Sequence, residues 1–196
     1  MPSSPPADAL ALLHRRHSPP TRQLGEPAPD AGTLDALLEA AIRVPDHGKL
    51  VPFRLITLRG EHKLRFGERL AARAIARNPE LSDAKRDKER ARYTFAPLVI
   101  VVVCRVDPTS AVPPMEQQLS AGCVAYNLLL GAEALGFGAQ WLTGWAAYDT
   151  EVASLLGLAP HEQVIGFVHL GSVQMEVPDR ERPALADLLS DWSDPR

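Results

Sequence analysis

Apolar residues recur along this chain at two spacings, one typical of helices and the other of strands. The helical spacing is clear in TLDALLEAAIRV, where Thr33 is the predicted N-cap and Pro45 is predicted to stop the helix. Residues 60–92 are also helical in pattern and heavily charged, with a break at NPE. Further helices are predicted for the segment that begins at Asp8, for residues 116–135 and for DTEVASLLGL.

Four apolar stretches carry the strand signal. FRLITL alternates as a half-buried strand does, whereas LVIVVVC at 98–104 is a continuous run that predicts a central strand buried on both faces. The other two predicted strands are FGAQWLTG and QVIGFVHLG. Because helices and strands follow one another without a regular βαβ series, the predicted fold class is α+β.

The pattern predicts a single domain over residues 8–196. A chain of 196 residues can bury one full-sized core. Residues 1–7 are rich in Pro and Ser, and we expect them to be disordered. The short amphipathic piece ALADLLSDW, which follows Pro178, is too small for a domain. We therefore expect the tail from about residue 178 to dock on the body or on a partner subunit.

Composition and charge exclude several classes of partner. The net charge of −3 argues against binding to nucleic acid or to an anionic membrane, and the mixed charges of 60–92 predict a solvated face. The N-terminus lacks the basic and apolar regions of a secretory signal, and LVIVVVC is too short to cross a bilayer. Two lone cysteines, Cys104 and Cys123, are predicted to be buried structural thiols, which fits the cytoplasm.

No motif for metal or nucleophilic chemistry is present in the sequence. GxxxxGK[ST], HExxH and GxSxG are absent, and the six histidines show no metal-ligand spacing. GFGAQW at 136–141 lacks the third glycine of a dinucleotide fingerprint and follows a helix instead of a strand. His169 lies in an apolar strand, which predicts a hydrogen-bonded residue of the core or an interface rather than a ligand.

Two loops concentrate hydrogen-bond donors. HRRHS at 14–18 places two guanidiniums, imidazoles and a hydroxyl after a helix, which suits an anion but also suits a basic helix C-terminus. RVPDHGKLVP at 43–52 is either a solvated connection or a ligand-binding corner. Asp46 and His47 are adjacent and point to opposite sides of an extended chain, so they do not predict a catalytic dyad of a hydrolase or lyase.

Four blocks, in this order and spacing, resemble the small bacterial NAD(P)H nitroreductases of the YdjA type: RHSPPTRQLGEPAPD, RVPDHGKLVPFRLITLRG, EQQLSAGCVAYNLLLGAEALGFGAQWLTGW and VIGFVHLG. The resemblance runs from about residue 10 to residue 173. It implies a nitroreductase-like α+β fold with a mixed central sheet flanked by helices. It also implies an intertwined homodimer that binds FMN at the subunit interface.

The resemblance implies which residues bind the ligands. The residues expected to contact FMN are Arg16, His17, Ser18, Arg43, His47, Trp141, Leu142 and Thr143, with Arg15 as a neighbouring candidate. A contact with the nicotinamide nucleotide is implied for Gly131, Ala132, Glu133, Ala134, Leu135 and Gly136. Two departures are visible: His17 stands where arginine is usual, and Phe53 where tryptophan is common, which bears on the substrate cavity.

The implied activity is that of an FMN-dependent oxidoreductase. NADH or NADPH would reduce a small aromatic acceptor, a nitroaromatic or a quinone, by a ping-pong mechanism. No catalytic side chain and no metal is expected, because the flavin carries the chemistry. Lys49 is a candidate for stabilising the anionic reduced flavin. The alternative is a flavin-binding protein or sensor without turnover.

Overall fold

The structure is a computed structural model, and it describes residues 9–193. Residues 1–7, which the sequence predicts to be disordered, lie outside this range. Six α-helices occur in the described residues: Ala9–Arg15 (α1), Ala31–Ala41 (α2), Gly60–Arg77 (α3), Asp83–Ala91 (α4), Pro114–Ala134 (α5) and Thr150–Leu155 (α6). The five strands of the same residues are Leu24–Gly25 (β1), Phe53–Arg59 (β2), Leu98–Arg105 (β3), Gly138–Leu142 (β4) and Glu162–Val173 (β5).

These strands form one sheet in which β5 is the longest member. Strand β3 pairs with one edge of β5, and β2 pairs with β3 and ends the sheet on that side. On the other edge of β5, β4 pairs with residues 167–171 and β1 with residues 172–173. The α+β class is confirmed. The prediction of a mixed sheet is wrong, since every pairing of the described residues is antiparallel.

Strand β3 divides the core into two apolar clusters. Ile100, Val102 and Cys104 belong to the cluster that β3 shares with α2 and α5. Val99, Val101 and Val103 belong to the cluster that also contains residues of α3 and α6. The predicted central strand, buried on both faces, is thereby confirmed. Burial also raises the pKa of the Cys104 thiol to about 11, as expected of a structural thiol.

Two local predictions are wrong. The N-cap of α2 is Asp30, whose carboxylate accepts a hydrogen bond of 2.7 Å from the backbone N–H of Thr33. Aspartate caps better than threonine, and α2 therefore begins before Thr33. Cys123 is exposed and not buried, because it lies on the face of α5 that turns away from the sheet.

His169 is buried, as predicted, but it is not hydrogen-bonded. Its side chain is 1% exposed, and neither ring nitrogen has a partner in the described structure. The ring packs instead against Tyr93, with the two ring centroids 5.4 Å apart. Burial, assisted by the charges of Arg92 and Lys63, lowers the pKa of His169 to about 4. The imidazole is therefore neutral in the folded protein at neutral pH.

This lowered pKa predicts that the protein loses stability in mild acid. The unfolded chain, in which the histidine pKa is near 6.5, binds a proton that the folded chain does not bind until about pH 4. Stability should therefore fall by up to about 3 kcal/mol as the pH decreases between these values. Urea titrations from pH 7 to pH 4 should show this slope, and His169→Leu should flatten it. An unchanged slope in the variant would assign the effect to other groups.

The C-terminal tail does not pack onto the body of its own chain. Its large apolar side chains are all exposed: Leu185, Leu188, Leu189 and Trp192. One hydrogen bond of the described residues joins the tail to the body: the Arg182 guanidinium donates to the carbonyl of Arg16 at 3.5 Å. Docking of the tail on a partner subunit stays a prediction.

Candidate functional site

Helix α5 holds the loop that follows α2. The Ser120 hydroxyl donates a hydrogen bond of 2.8 Å to the carbonyl of Pro45. The Asn127 side-chain amide donates to the carbonyls of Ala41 and Arg43, at 3.2 and 3.3 Å. Helix α2 ends at Ala41, before Pro45. Side chains of α5 donate hydrogen bonds to the carbonyls that the end of α2 and the following loop leave free.

Asp46 has a structural role in this loop. Its carboxylate accepts hydrogen bonds from the backbone N–H groups of Leu50, at 3.1 Å, and Val51, at 2.9 Å. These bonds close a sharp turn in which Lys49 and Val51 have φ values of 54° and 48°. Residues with a Cβ rarely adopt this region, and the two bonds offset part of the strain. The turn leaves Lys49 exposed.

His47 and Arg43 are both exposed beside α5. His47 Nδ1 lies 2.7 Å from a carboxylate oxygen of Glu116, in the first turn of α5. This contact orients the imidazole and directs Nε2 away from Glu116. Both predicted side chains are therefore accessible to a ligand.

A second group of predicted residues meets in a cavity of about 360 Å³. Its lining consists of Arg16, Ser18, Tyr126, Leu129, Trp141 and Thr143. The Arg16 guanidinium donates a hydrogen bond of 3.2 Å to the Ser18 hydroxyl, so both polar groups face the same space. The lining therefore combines a cationic side chain and hydroxyl groups with aromatic and aliphatic side chains.

Strand β4 positions both sides of this cavity. The Gln140 side-chain oxygen accepts a hydrogen bond of 2.9 Å from the backbone N–H of Thr21, which ties the loop after α1 to the sheet. The Trp141 indole N–H donates to the carbonyl of Ile165 at 3.2 Å, and its ring lies against Gly166. A methyl group on Gly166 would lie 1.9 Å from the indole nitrogen, so glycine is required there.

The other predicted residues are not all in the cavity. His17 is half-buried beside it, with Nδ1 3.1 Å from the carbonyl of Arg15, and Leu142 is half-buried in β4. Phe53 lies in the core next to α2 and does not line the cavity.

An exposed stripe of α5 lies between the cavity on one side and Arg43 and His47 on the other. That stripe consists of Met115, Leu119, Cys123 and Tyr126.

The segment predicted to contact the nicotinamide nucleotide ends α5. A methyl group on Gly131 would lie 2.5 Å from Leu37, and Ala132 is fully buried, so these two residues serve helix packing. Leu135 and Gly136 are exposed, and Gly136 ends the helix with a φ of 81°. A ligand could reach only the exposed end of this segment in the single chain.

Comparison with known proteins identifies the family. The sequence profile of the nitroreductase family matches residues 13–172, which covers both sides of the cavity and the loop with His47. The chain belongs to the nitroreductase family. The resemblance noted in the sequence is thereby confirmed.

Two curated relatives in this family are similar over most of their length. A "Putative NAD(P)H nitroreductase" of Haemophilus influenzae is 39% identical over 89% of this chain and 92% of its own. YdjA of Escherichia coli K12, with the same description, is 36% identical over 86% and 90%. A protein of Desulfovibrio desulfuricans described as "a putative nitroreductase in complex with fmn" shares the fold with a TM-score of 0.73 at 22% identity, covering 98% of this chain and 99% of the other.

Two further findings concern the part of the nitroreductase chain that the structure describes. Across residues 9–193, no helix is both long and apolar enough for a membrane span. In the same residues, no three His, Cys, Asp or Glu side chains are grouped so that they could hold a metal ion.

Sequence reasoning missed several residues of the cavity. Tyr126 and Leu129 were not predicted because a helix of mostly apolar residues does not reveal which of its sides a ligand would meet. Gln140 and Gly166 position the lining without being part of it: Gln140 contacts the main chain of Thr21 and Gly166 contacts the Trp141 ring, and no local pattern signals either contact.

Proposed function

We propose that this protein is an FMN-dependent oxidoreductase that uses NADH or NADPH to reduce small nitroaromatic or quinone-like acceptors in a ping-pong mechanism. The observation that carries the proposal is the cavity in which Arg16 and Ser18 meet Trp141 and Thr143 across the fold. Family membership and the names of the relatives support the same activity. Two free thiols, Cys104 and Cys123, support a location in the reducing cytoplasm, which cell fractionation would test.

The donor set of the cavity fits FMN. The Arg16 guanidinium and the Ser18 hydroxyl provide charge-assisted and neutral donors for a phosphate or a ribityl chain. Trp141, Tyr126 and Leu129 provide aromatic and aliphatic side chains against which a ring system can pack. The FMN of the Desulfovibrio nitroreductase is in keeping with this assignment. His17, Leu142, Arg43 and His47 remain proposed contacts.

Bound FMN would accept a hydride from the nicotinamide and pass two electrons to the second acceptor. The protein supplies binding, orientation and electrostatics. Arg16, Arg43 and the exposed Lys49 provide positive charge for an anionic cofactor and its reduced form. The exposed end of the 131–136 segment is the proposed contact for the nicotinamide nucleotide.

We further propose a homodimer in which two copies pack through the α5 stripe. The stripe leaves large apolar side chains in water, with Met115 68% and Leu119 62% exposed. It separates the cavity from Arg43 and His47, so a second copy packed on it would lie beside both groups and complete a site between subunits. Sedimentation should show a dimer, and Leu119→Asp should shift it to monomer. A flavin-loaded wild-type monomer would contradict the proposal.

Rapid mixing of the flavin-loaded protein with NADH or NADPH tests the activity. The visible absorbance of the oxidised flavin should bleach within seconds without oxygen and return when a quinone such as menadione is added. A flavin that stays oxidised with the nucleotide alone, while NADH or NADPH is consumed once the quinone is added, would contradict the ping-pong order. A bound flavin that neither nucleotide reduces would favour a flavin-binding protein without turnover.

A further inference from the structure

A groove separate from the proposed flavin site lies between the C-terminal end of α3, helix α4 and the turn after β4. We call it the α3–α4 groove. It has a volume of about 450 Å³, and its lining includes Arg77, Leu81, Lys85, Lys88, Glu89 and Trp145. Sequence analysis predicts a solvated face for this region. The structure adds an aromatic residue from a distant segment, because Trp145 packs between the two helices and the edge of the core.

One wall of the groove is a cation–π pair of Arg77 and Trp145. The Arg77 guanidinium carbon lies 4.9 Å from the centroid of the Trp145 ring. Arg77 is also held by the Asp149 carboxylate at 3.4 Å. A planar guanidinium that is stacked on an indole presents a flat surface on which another aromatic ring packs well. Leu81 extends this surface along the linker between the helices.

The charges of the groove are unbalanced in favour of cations. The single carboxylate of the lining, Glu89, is already occupied: it accepts hydrogen bonds from Arg92 at 2.9 Å and from the Trp145 indole N–H at 3.2 Å. Lys85 and Lys88 have no ion-pair partner within residues 9–193. Two ammonium groups therefore line the groove without compensation.

We propose that the α3–α4 groove binds a flat aromatic carboxylate. The ring would pack against the Arg77–Trp145 pair and Leu81, while the carboxylate would face Lys85 and Lys88. A neutral arene would gain only the apolar contact, and an inorganic anion would gain only the charge. The volume is within the range of small-molecule sites, which is roughly 300–1,000 Å³.

This site differs from the proposed flavin site, although one segment borders both. Trp141 and Thr143 line the cavity, whereas Trp145 lines the groove. Between them, Gly144 turns the chain with a φ of 62°, and a methyl group there would lie 3.2 Å from the Arg92 guanidinium. The cavity and the groove share no lining residue.

Calorimetry with matched probes tests the proposal on the FMN-saturated protein. Naphthalene-2-carboxylate should bind about tenfold more tightly than naphthalene-2-carboxamide, which has the same ring without the charge. The double variant Lys85→Ala/Lys88→Ala should weaken carboxylate binding about tenfold and leave carboxamide binding unchanged. Lys85→Arg/Lys88→Arg should retain the wild-type affinity for the carboxylate.

Arg90→Ala is the matched control on the same helix. Its guanidinium contacts Glu68 and Asp87 and does not line the groove, so carboxylate affinity should remain at the wild-type value. Flavin absorbance is recorded in the same titrations. Equal affinity for the two probes would overturn the proposal, as would binding that shifts the flavin spectrum and is unchanged in the double lysine variant. The latter result would place the probe over the flavin instead.

Discussion

Replacing Arg16 by alanine should weaken FMN binding by about ten- to a hundredfold. Charge-assisted hydrogen bonds to an anion contribute roughly 1.5–3 kcal/mol, and the Arg16 guanidinium is the cation that lines the cavity. The variant also removes the donor that orients the Ser18 hydroxyl at 3.2 Å. Fluorescence titration of FMN into the flavin-free protein measures the dissociation constant, and thermal unfolding confirms that the variant is folded.

Arg22→Ala is the control for Arg16. Arg22 is an exposed arginine in the short 3₁₀ turn after the same loop, so its removal changes the net charge equally without touching the cavity. FMN affinity should remain near the wild-type value. Arg16→Lys should give an intermediate loss, because lysine keeps the charge but not the planar pair of donors. Wild-type FMN affinity in folded Arg16→Ala would remove Arg16 from the site.

Gly166→Ala should reduce the stability of the protein by about 3 kcal/mol or more, the upper part of the range for overpacking. The added methyl would lie 1.9 Å from Trp141 Nε1 and 2.3 Å from Cδ1, so the indole must move. Its hydrogen bond to the carbonyl of Ile165 would then be lost. For a chain of this size the midpoint of thermal unfolding should fall by about 6–12 °C. Because Trp141 lines the cavity, FMN affinity should fall as well.

Gly32→Ala provides the matched control for Gly166→Ala. Gly32 is exposed in α2, and its added methyl would meet only the Asp30 side chain, at 3.8 Å. This variant should be neutral or slightly stabilising, since alanine favours a helix over glycine. The double variant Gly166→Ala/Trp141→Leu should be less destabilised than the sum of its parts, because the shorter side chain removes the clash. Additive losses would show that Gly166 acts without Trp141.

Most of the fold could be predicted from local patterns. The run LVIVVVC marked β3 as central because a strand that is apolar on every position must be covered on both faces. The NPE break correctly separated α3 from α4. Sheet direction was not predictable in this way, since apolar runs carry no information about the direction of the neighbouring strand. The exposed position of Cys123 was missed because α5 is apolar around most of its circumference.

The same distinction applies to the candidate site: local sequence predicted some of its features, and the tertiary structure decided the others. The sequence by itself determined the residue types and their order: the donors of HRRHS, the crowded loop RVPDHGKLVP and the aromatic of QWLTG. It also argued against a catalytic dyad of Asp46 and His47, and the hydrogen bonds of the Asp46 carboxylate to Leu50 and Val51 give Asp46 a structural role instead. These are properties of adjacent residues and of segments whose order a family preserves.

Only the tertiary structure decided which of these residues share a space. Arg16 meets Trp141 because Gln140 in β4 holds the loop after α1 through Thr21, a contact between segments far apart in sequence. His47 lies instead across the exposed stripe of α5, beside Glu116. The physical reason is that a cavity is formed by the packing of distant elements, and the free energy of that packing depends on shape and register that no local pattern encodes.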